Sequence, residues 1–244
     1  MPDVRQRFPH LPAALPAAVV FDMDGLMLDT ERLDRALWQA AARRHAFEFP
    51  DWLHATLVGR RAADTAHTLQ AHFGAGFPLE RIKAEIHGYW MNIATGPGLP
   101  RKPGIDDLLA TLERQAIPRA VATSTARDRA LLSLGELATR FQALAFGNEV
   151  QRGKPAPDIY LLAAQRLGVP PADCLALEDS PAGVAAAHAA GMTVVMIPDL
   201  VQPHEPPPFL GASLDEIHEW VQALLERAPG PEGFNSLNHA PNPR

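Results

Sequence analysis

The chain has 244 residues, and its 22 lysines and arginines are outnumbered by 28 aspartates and glutamates, which gives a formal net charge of -6. A net negative chain lacks the basic surface that binding to a nucleic-acid backbone requires, so we expect no nucleic-acid partner. Hydrophobic residues form 47% of the chain, a typical globular value, yet no run reaches the ~20 apolar residues of a membrane-spanning helix, so we expect no membrane partner.

The first hydrophobic run, residues 11–21, superficially resembles a signal peptide because two arginines precede it. Pro12 and Pro16 interrupt this run, and cleavage after Ala17 would remove the start of the strand that is predicted next. Cys174 is the only cysteine, so an intramolecular disulfide is excluded, as is typical of a reducing compartment. We therefore expect a cytoplasmic protein.

Residues 17–21, with the sequence Ala-Ala-Val-Val-Phe, are followed directly by Asp22. A short continuous apolar run is typical of a strand that is buried on both faces of a parallel sheet. Asp29 or Thr30 is in position to cap a helix whose apolar residues recur three and four positions apart. We interpret both residues as structural, at the junction between two domains.

Helical patterns continue over residues 62–73 and 79–93, and no convincing strand lies between them. Residues 96–104 are rich in glycine and proline and break the chain. The sequence therefore predicts a small α-helical domain over residues 31–100, inserted into a larger core.

After this break, strands and helices alternate. The predicted helices cover residues 105–114, 127–137, 158–167, 182–190 and 213–227, and the predicted strands cover 118–122, 143–146, 174–177 and 193–197. Ser213 and Glu216 have the spacing of a capping box at the start of the last helix. This alternation is typical of parallel strands joined by right-handed crossovers. We predict an α/β protein whose Rossmann-like parallel sheet core covers residues 1–30 and 101–228, with a flexible tail over 229–244.

Polar side chains gather where four of the predicted strands end. They are Asp22 and Asp24 after the first strand, Thr123, Ser124 and Thr125 at the second, Lys154 after the third, and Glu178 and Asp179 at the fourth. Open parallel sheets bind their ligands beyond the carboxyl ends of the strands. We therefore expect these side chains to form one site.

Four carboxylates in one dry site are costly, because like charges disfavour ionisation. A hard divalent cation resolves this, and Mg2+ suits a site where phosphate supplies a further oxygen ligand. Lys154 adds a positive charge for a phosphoryl group or a nucleophilic carboxylate, and Thr123 can donate its hydroxyl to a phosphate oxygen. Gly25 permits a tight turn that aims Asp24 over the site. The set predicts phosphoryl transfer to a carboxylate.

The same residues carry a resemblance to a known family. Phe21-Asp-Met-Asp-Gly-Leu-Met-Leu-Asp-Thr30, Thr123, Lys154-Pro155 and Leu177-Glu-Asp-Ser180 resemble the four ordered motifs of the haloacid dehalogenase superfamily. The subgroup resembled is that of the β-phosphoglucomutase-like phosphatases, which includes sugar-phosphate and pseudouridine-5′-phosphate phosphatases. The resemblance covers about residues 17–200 of the chain.

The resemblance implies catalytic roles for four of these residues. Asp22 is the implied nucleophile that forms an aspartyl-phosphate, Asp24 is the implied general acid and then base, and Thr123 and Lys154 complete the set. It implies Mg2+ bound by the carboxylate of Asp22, the backbone carbonyl of Asp24, and Asp179, with Glu178 supporting directly or through water. The helical insertion is then a cap that closes over the substrate.

Substrate contacts are expected from two further loops. Gly59, Arg60 and Arg61 resemble the specificity loop of the family, although a solvated pair of charges is an equal alternative for the two arginines. Ser124 and Thr125 follow the second strand, where Thr125 either lines the phosphate site or stabilises the turn.

The leading hypothesis is an Mg2+-dependent phosphatase that acts on a small phosphorylated metabolite. One alternative is a β-phosphoglucomutase-like isomerase, whose cap carries a histidine and an arginine at positions that align with Asp34 and Ala62 here; Arg60 or Arg61 can take the place of the arginine if the loop shifts by a residue or two. Because an acidic Asp34 would repel a second phosphate, we favour water as the acceptor. Another alternative, a receiver-like signalling module, fits poorly, because receivers are half as long and carry their aspartate on a middle strand. Asp24 argues against dehalogenation, since dehalogenases of this superfamily lack that second aspartate.

Overall fold

The computed structural model describes residues 4–60, 62–95, 98–203, 207 and 209–227. Its strands are β1 (Ala18–Phe21), β2 (Arg119–Thr123), β3 (Ala143–Phe146), β4 (Cys174–Glu178) and β5 (Thr193–Met196). Its α-helices are α1 (Val4–Arg7), α2 (Glu31–Arg44), α3 (Asp51–Ala55), α4 (Ala62–Phe73), α5 (Leu79–Ala94), α6 (Ile105–Arg114), α7 (Arg127–Leu134), α8 (Asp158–Leu167), α9 (Pro181–Ala189) and α10 (Leu214–Arg227).

The described strands form one parallel sheet with the order β3-β2-β1-β4-β5. β1 lies at the centre, where Phe21 is paired with Val121 of β2 and with Leu177 of β4. This register aligns the carboxyl ends of three neighbouring strands. The predicted α/β fold with a parallel sheet is confirmed.

Helices cover both faces of the sheet, and successive side chains of β1 point alternately to one face and to the other. Val19 and Phe21 pack into one hydrophobic cluster with α6 and α10, whereas Ala18 and Val20 pack into a second cluster with α8 and α9. All four side chains are buried, which explains why the strand is apolar at every position.

The helices α2 to α5, called the helical segment below, have a hydrophobic cluster of their own. Trp38 of α2 stacks on Phe49 with ring centroids 5.4 Å apart, and Ile82 and Trp90 of α5 are buried in the same cluster. Within this segment, the short helix α3 was not predicted from the sequence. The division of the chain into a core and a cap remains a prediction.

The chain crosses between the sheet and the helical segment twice, and Asp199 contacts both crossings. Asp199 follows β5, and its carboxylate lies 2.7 Å from Arg32, in the first turn of α2 directly after the outgoing crossing, and 2.8 Å from Lys102 on the returning one. The backbone amide of Asp29 also donates to the carbonyl of Pro100, so the two crossings run side by side.

The end of one predicted helix is wrong, and the capping box predicted for the last helix is only half formed. The helix predicted over residues 127–137 ends at Leu134, because Gly135 has a positive φ of 51° and residues Gly135–Arg140 form a 3-10 helix. Ser213 accepts a hydrogen bond from the amide of Glu216, as predicted, but the Glu216 carboxylate binds the amide of Ala212 instead of closing the capping box. The tail predicted over 229–244 lies outside the described residues.

We also compared the helices with the dimensions of a bilayer. In the part of the chain that the structure describes, no helix combines the length and the hydropathy that crossing a membrane requires.

Candidate active site

Three acidic side chains meet at the carboxyl ends of β1 and β4. The amide of Asp22 donates to the carbonyl of Leu177, which places Asp22 beside Glu178 and Asp179. Each of the three offers a carboxylate oxygen within 4.8 Å of the others, and all three are buried. We call Asp22, Glu178 and Asp179 the acidic cluster.

Lys154 reaches the acidic cluster from the loop after β3, as the sequence predicts. Its ammonium group donates to Asp22 and, over 2.6 Å, to Glu178, and the side chain is fully buried. Tyr160 of α8, which the sequence analysis missed, donates its hydroxyl to the same oxygen of Glu178. The other oxygen of Glu178 accepts from the amide of Asp179 and the hydroxyl of Ser180, both at 3.1 Å. Both oxygens of Glu178 are therefore engaged by protein donors.

The close approach of these acids perturbs their protonation. Burial raises the pKa of Asp22 to about 8; Lys154 opposes this shift, and the nearby charges of Glu178 and Asp24 add to it. Burial and the charges of Asp22 and Glu178 likewise raise the pKa of Asp179 well above its ordinary value. The pKa of Lys154 is raised, because the two carboxylates it contacts outweigh its burial. The site holds more acid than Lys154 neutralises, and its oxygen donors suit a hard divalent cation.

Two glycines allow the acidic cluster to pack closely. Gly25 has a φ of 85°, and a Cβ there would overlap the carboxylate of Asp179. A Cβ on Gly183, in the first turn of α9, would overlap the carboxyl group of Glu178. The turn that the sequence predicts at Gly25 therefore places backbone directly against an acidic side chain.

Asp24 is not one of the carboxylates of the acidic cluster, and hydroxyl groups hold both of its oxygens. One of its oxygens accepts from the hydroxyl of Thr30 at 2.9 Å, and the other accepts from Thr125 at 2.7 Å and from Thr123 at 3.4 Å. Thr30 precedes α2 but makes no capping hydrogen bond among the described residues. The sequence predicts Asp29 or Thr30 as the cap. Thr30 occupies the cap position, but its hydroxyl orients Asp24 instead of capping, and Asp29 accepts from the side chain of Arg32.

The loop after β2 connects the sheet to the helical segment. The hydroxyl of Thr123 accepts from the amide of Thr125 at 3.0 Å, while the hydroxyl of Ser124 donates to the carbonyl of Gly59 at 2.8 Å. Only the backbone amide of Thr125 takes part in the turn, whereas its hydroxyl donates to Asp24. A contact of Thr125 with phosphate stays a prediction.

A cavity of about 360 Å3 lies between the sheet and the helical segment. We call it the active-site cavity, since it is lined by the predicted residues Asp22, Asp24, Thr123, Ser124, Thr125, Gly59 and Arg60. Arg60 is exposed at its edge. Arg61 lies outside the described residues.

The sequence analysis missed several residues that line the same cavity: Glu31, His54, Trp90 and Arg129. Asp34 also lines it, and it is not the isolated negative charge that the argument against a mutase assumed. The guanidinium of Arg129 and the indole nitrogen of Trp90 each lie 3.4 Å from one Asp34 oxygen, and His54 lies 3.8 Å from the other. These residues come from separate helices, so no sequence spacing connects them.

Comparisons with known proteins identify the family of the chain. A family model described as haloacid dehalogenase-like hydrolase matches residues 16–191. A probable pseudouridine-5′-phosphatase from Drosophila melanogaster is 37% identical over 74% of this chain and 80% of its own length, and a phosphorylated carbohydrates phosphatase from Thermotoga maritima is 33% identical over 72% and 82%. The crystal structure of CbbY from Rhodobacter sphaeroides in complex with phosphate superposes with a TM-score of 0.70, at 27% identity over 83% of this chain and 96% of that one.

Proposed function

Because the chain belongs to the haloacid dehalogenase-like hydrolases, we propose that it is an Mg2+-dependent phosphatase that hydrolyses a small phosphorylated metabolite through an aspartyl-phosphate on Asp22. The observation that carries the proposal is the position of Asp22. Its carboxylate is held by Lys154 within the acidic cluster and lines the same cavity as Asp24. The relatives that act on pseudouridine phosphate and phosphorylated carbohydrates support a small, hydrophilic substrate.

In this mechanism Asp22 attacks the phosphorus atom, and the bond to the leaving alcohol breaks. Lys154 keeps the attacking carboxylate in place and faces the phosphoryl oxygens with its positive charge. The hydroxyls of Thr123 and Ser124 also line the cavity. Each would release its present acceptor, Asp24 or the carbonyl of Gly59, to donate to a phosphoryl oxygen.

Asp24 serves as the general acid and then the general base. Its two oxygens are held by Thr30 and Thr125, so the carboxyl group is oriented before substrate binds. It gives its proton to the departing alkoxide and later takes a proton from the water that hydrolyses the aspartyl-phosphate. Since Asp24 is not part of the acidic cluster, its carboxyl group is available for these proton transfers.

The acidic cluster fits Mg2+ by the chemistry of its donors. Asp22 and Asp179 would hold the ion together with the backbone carbonyl of Asp24, and Glu178, whose oxygens already accept protein hydrogen bonds, would support them. Bound there, Mg2+ would supply positive charge that offsets the phosphoryl oxygens and the carboxylates. Residues 31–100, with their own hydrophobic cluster, would form the cap over the core, and the cavity between the two supports this division.

The test is phosphate release from a panel of sugar phosphates, nucleotides and pseudouridine 5′-phosphate, measured with Mg2+ and with EDTA. We expect Mg2+-dependent release that Asp22→Asn abolishes, because the amide keeps the shape of the side chain but is not a competent nucleophile. Asp107→Asn, an exposed change on α6, is the matched control. More than a few per cent of wild-type turnover in pure Asp22→Asn protein would remove Asp22 from this role.

The remaining alternative is the mutase. Phosphorus NMR of β-glucose 1-phosphate with the enzyme distinguishes the two reactions, because a hydrolase forms inorganic phosphate and a mutase forms glucose 6-phosphate. We expect inorganic phosphate, and isomerisation faster than phosphate release would favour the mutase.

A further inference from the structure

A second polar group lines the active-site cavity on the helical segment. His54 of α3 is buried, with 3% of its side chain exposed, and its Nε2 lies 3.8 Å from a carboxylate oxygen of Asp34 and 3.8 Å from one of Glu31. These distances exceed those of ordinary hydrogen bonds, which are about 2.7–3.2 Å. The three groups therefore face one another across a gap inside the cavity.

The spacing and the chemistry of His54 and Asp34 suit a hydroxyl group. Because the two groups are 3.8 Å apart, an oxygen atom that lies beside the line joining them, on the cavity side, can be about 2.8 Å from both. A hydroxyl donates one hydrogen and accepts others, so it can donate to the carboxylate and accept from the imidazole at the same time. An alkyl group in the same place would offer no hydrogen bond to the Nε2 of His54 or to the Asp34 oxygen that faces it.

Other residues keep Asp34 charged and oriented. Burial alone would raise the pKa of Asp34, but His54 and the positive charge of Arg129 outweigh it and lower that pKa. Arg129 comes from α7 of the sheet core and lies 4.3 Å from the ring centroid of Trp90, a cation–π contact. Asp34 is thus an ionised acceptor, with one oxygen held by Arg129 and Trp90 and the other facing His54.

We propose that His54 and Asp34 together bind a hydroxyl group of the substrate's alcohol portion and so select polyhydroxylated phosphate esters over apolar ones. This inference rests on the proposed phosphatase function and names the residues that determine its specificity. On this inference, residues of α2 and α3 select the substrate, rather than the loop that contains Gly59 and Arg60. The two residues contact the leaving alcohol, whereas the acidic cluster contacts the phosphoryl group that every such ester shares.

The test compares two esters of the same chain length, sorbitol 6-phosphate and n-hexyl phosphate. We expect the wild-type enzyme to have the higher kcat/KM for the sorbitol ester. His54→Phe and Asp34→Asn should each reduce that ratio of kcat/KM values by about 10- to 100-fold, chiefly through KM, because the lost hydrogen bond involves a charged group. His54→Gln keeps an N–H donor and should recover part of the preference.

His45→Phe is the matched control, since His45 binds Glu85 elsewhere in the helical segment. It should keep the wild-type ratio. Equal losses on both esters in the two variants, or a wild-type enzyme without a preference for the sorbitol ester, would overturn the inference while leaving the phosphatase function standing. If the wild-type enzyme releases phosphate from no ester at all, the proposed function itself fails.

Discussion

The substitution Thr30→Val distinguishes two roles for Thr30, the residue that precedes α2: capping the helix, or holding Asp24. As a cap, Thr30 would stabilise the helix, and its loss would cost about 1 kcal/mol of folding stability with no specific effect on turnover. In the structure its hydroxyl instead donates to Asp24 at 2.9 Å. Valine keeps the β-branched shape and removes only the hydroxyl.

The size of the effect follows from the contacts of Asp24. A hydrogen bond to a charged group contributes about 1.5–3 kcal/mol. Thr125 still holds the other oxygen of Asp24 at 2.7 Å, so the lower end of that range applies. Since about 1.4 kcal/mol corresponds to a factor of ten in rate, we expect kcat to fall about tenfold with KM nearly unchanged.

The assay is steady-state phosphate release together with thermal unfolding of the same preparations. Thr95→Val is the control, because Thr95 ends α5 and its hydroxyl binds only the carbonyl of Met91 among the described contacts. Thr125→Val should lower kcat further than Thr30→Val does, since its bond is shorter. A Thr30→Val enzyme with wild-type kcat and a lowered Tm would contradict the role in orienting Asp24 and would support helix capping by Thr30 instead.

Three further predictions concern the acidic cluster. Asp179→Ala should raise the Mg2+ concentration for half-maximal activity more than Glu178→Gln does, and the reverse ranking in Mg2+ titrations would overturn the ligand assignment. Glu178→Ala should in addition lower the stability, because Lys154 and Tyr160 each lose a buried partner, although Lys154 keeps Asp22. Gly183→Ala should abolish turnover, because the added Cβ would displace the Glu178 carboxyl group. Full activity would show that α9 can shift enough to accommodate the Cβ, and would contradict this prediction. Because burial raises the pKa of Asp22 from 3.8 to about 8, the folded state binds more protons than the unfolded state between these values. The Tm of the metal-free protein should therefore fall from about pH 5 to pH 8, and Mg2+ should raise it more at pH 8 than at pH 6; a Tm that rises over this range would contradict the shift.

The parallel sheet and the acidic cluster could be predicted because both depend on local patterns. An apolar run that stops at Asp22, and another that stops at Glu178, indicate strand ends, and the carboxyl ends of parallel strands lie at one edge of the sheet. The family membership inferred from the same motifs is also confirmed.

The rest of the site depends on contacts that no local pattern encodes. Thr30 has the sequence position of a helix cap, yet its hydroxyl donates to Asp24 instead of accepting from the backbone of the helix. His54 and Arg129 reach Asp34 from α3 and α7, two helices that lie far apart in the chain. Neither residue stands at a sequence spacing from Asp34 that would have indicated the contact. An isolated histidine in a helical pattern carries no signal until the packing of α3 on α2 is known.

The two crossings that meet at Asp199 have a mechanical consequence. Because one carboxylate binds both segments, a rotation about Asp199 would keep the two ion pairs, whereas sliding would break them together. In the proposed cap, such a joint would limit the orientations that the helical segment samples before it closes, and so would lower the entropic cost of closure. Asp199 would then influence product release although it takes no part in the proposed chemistry.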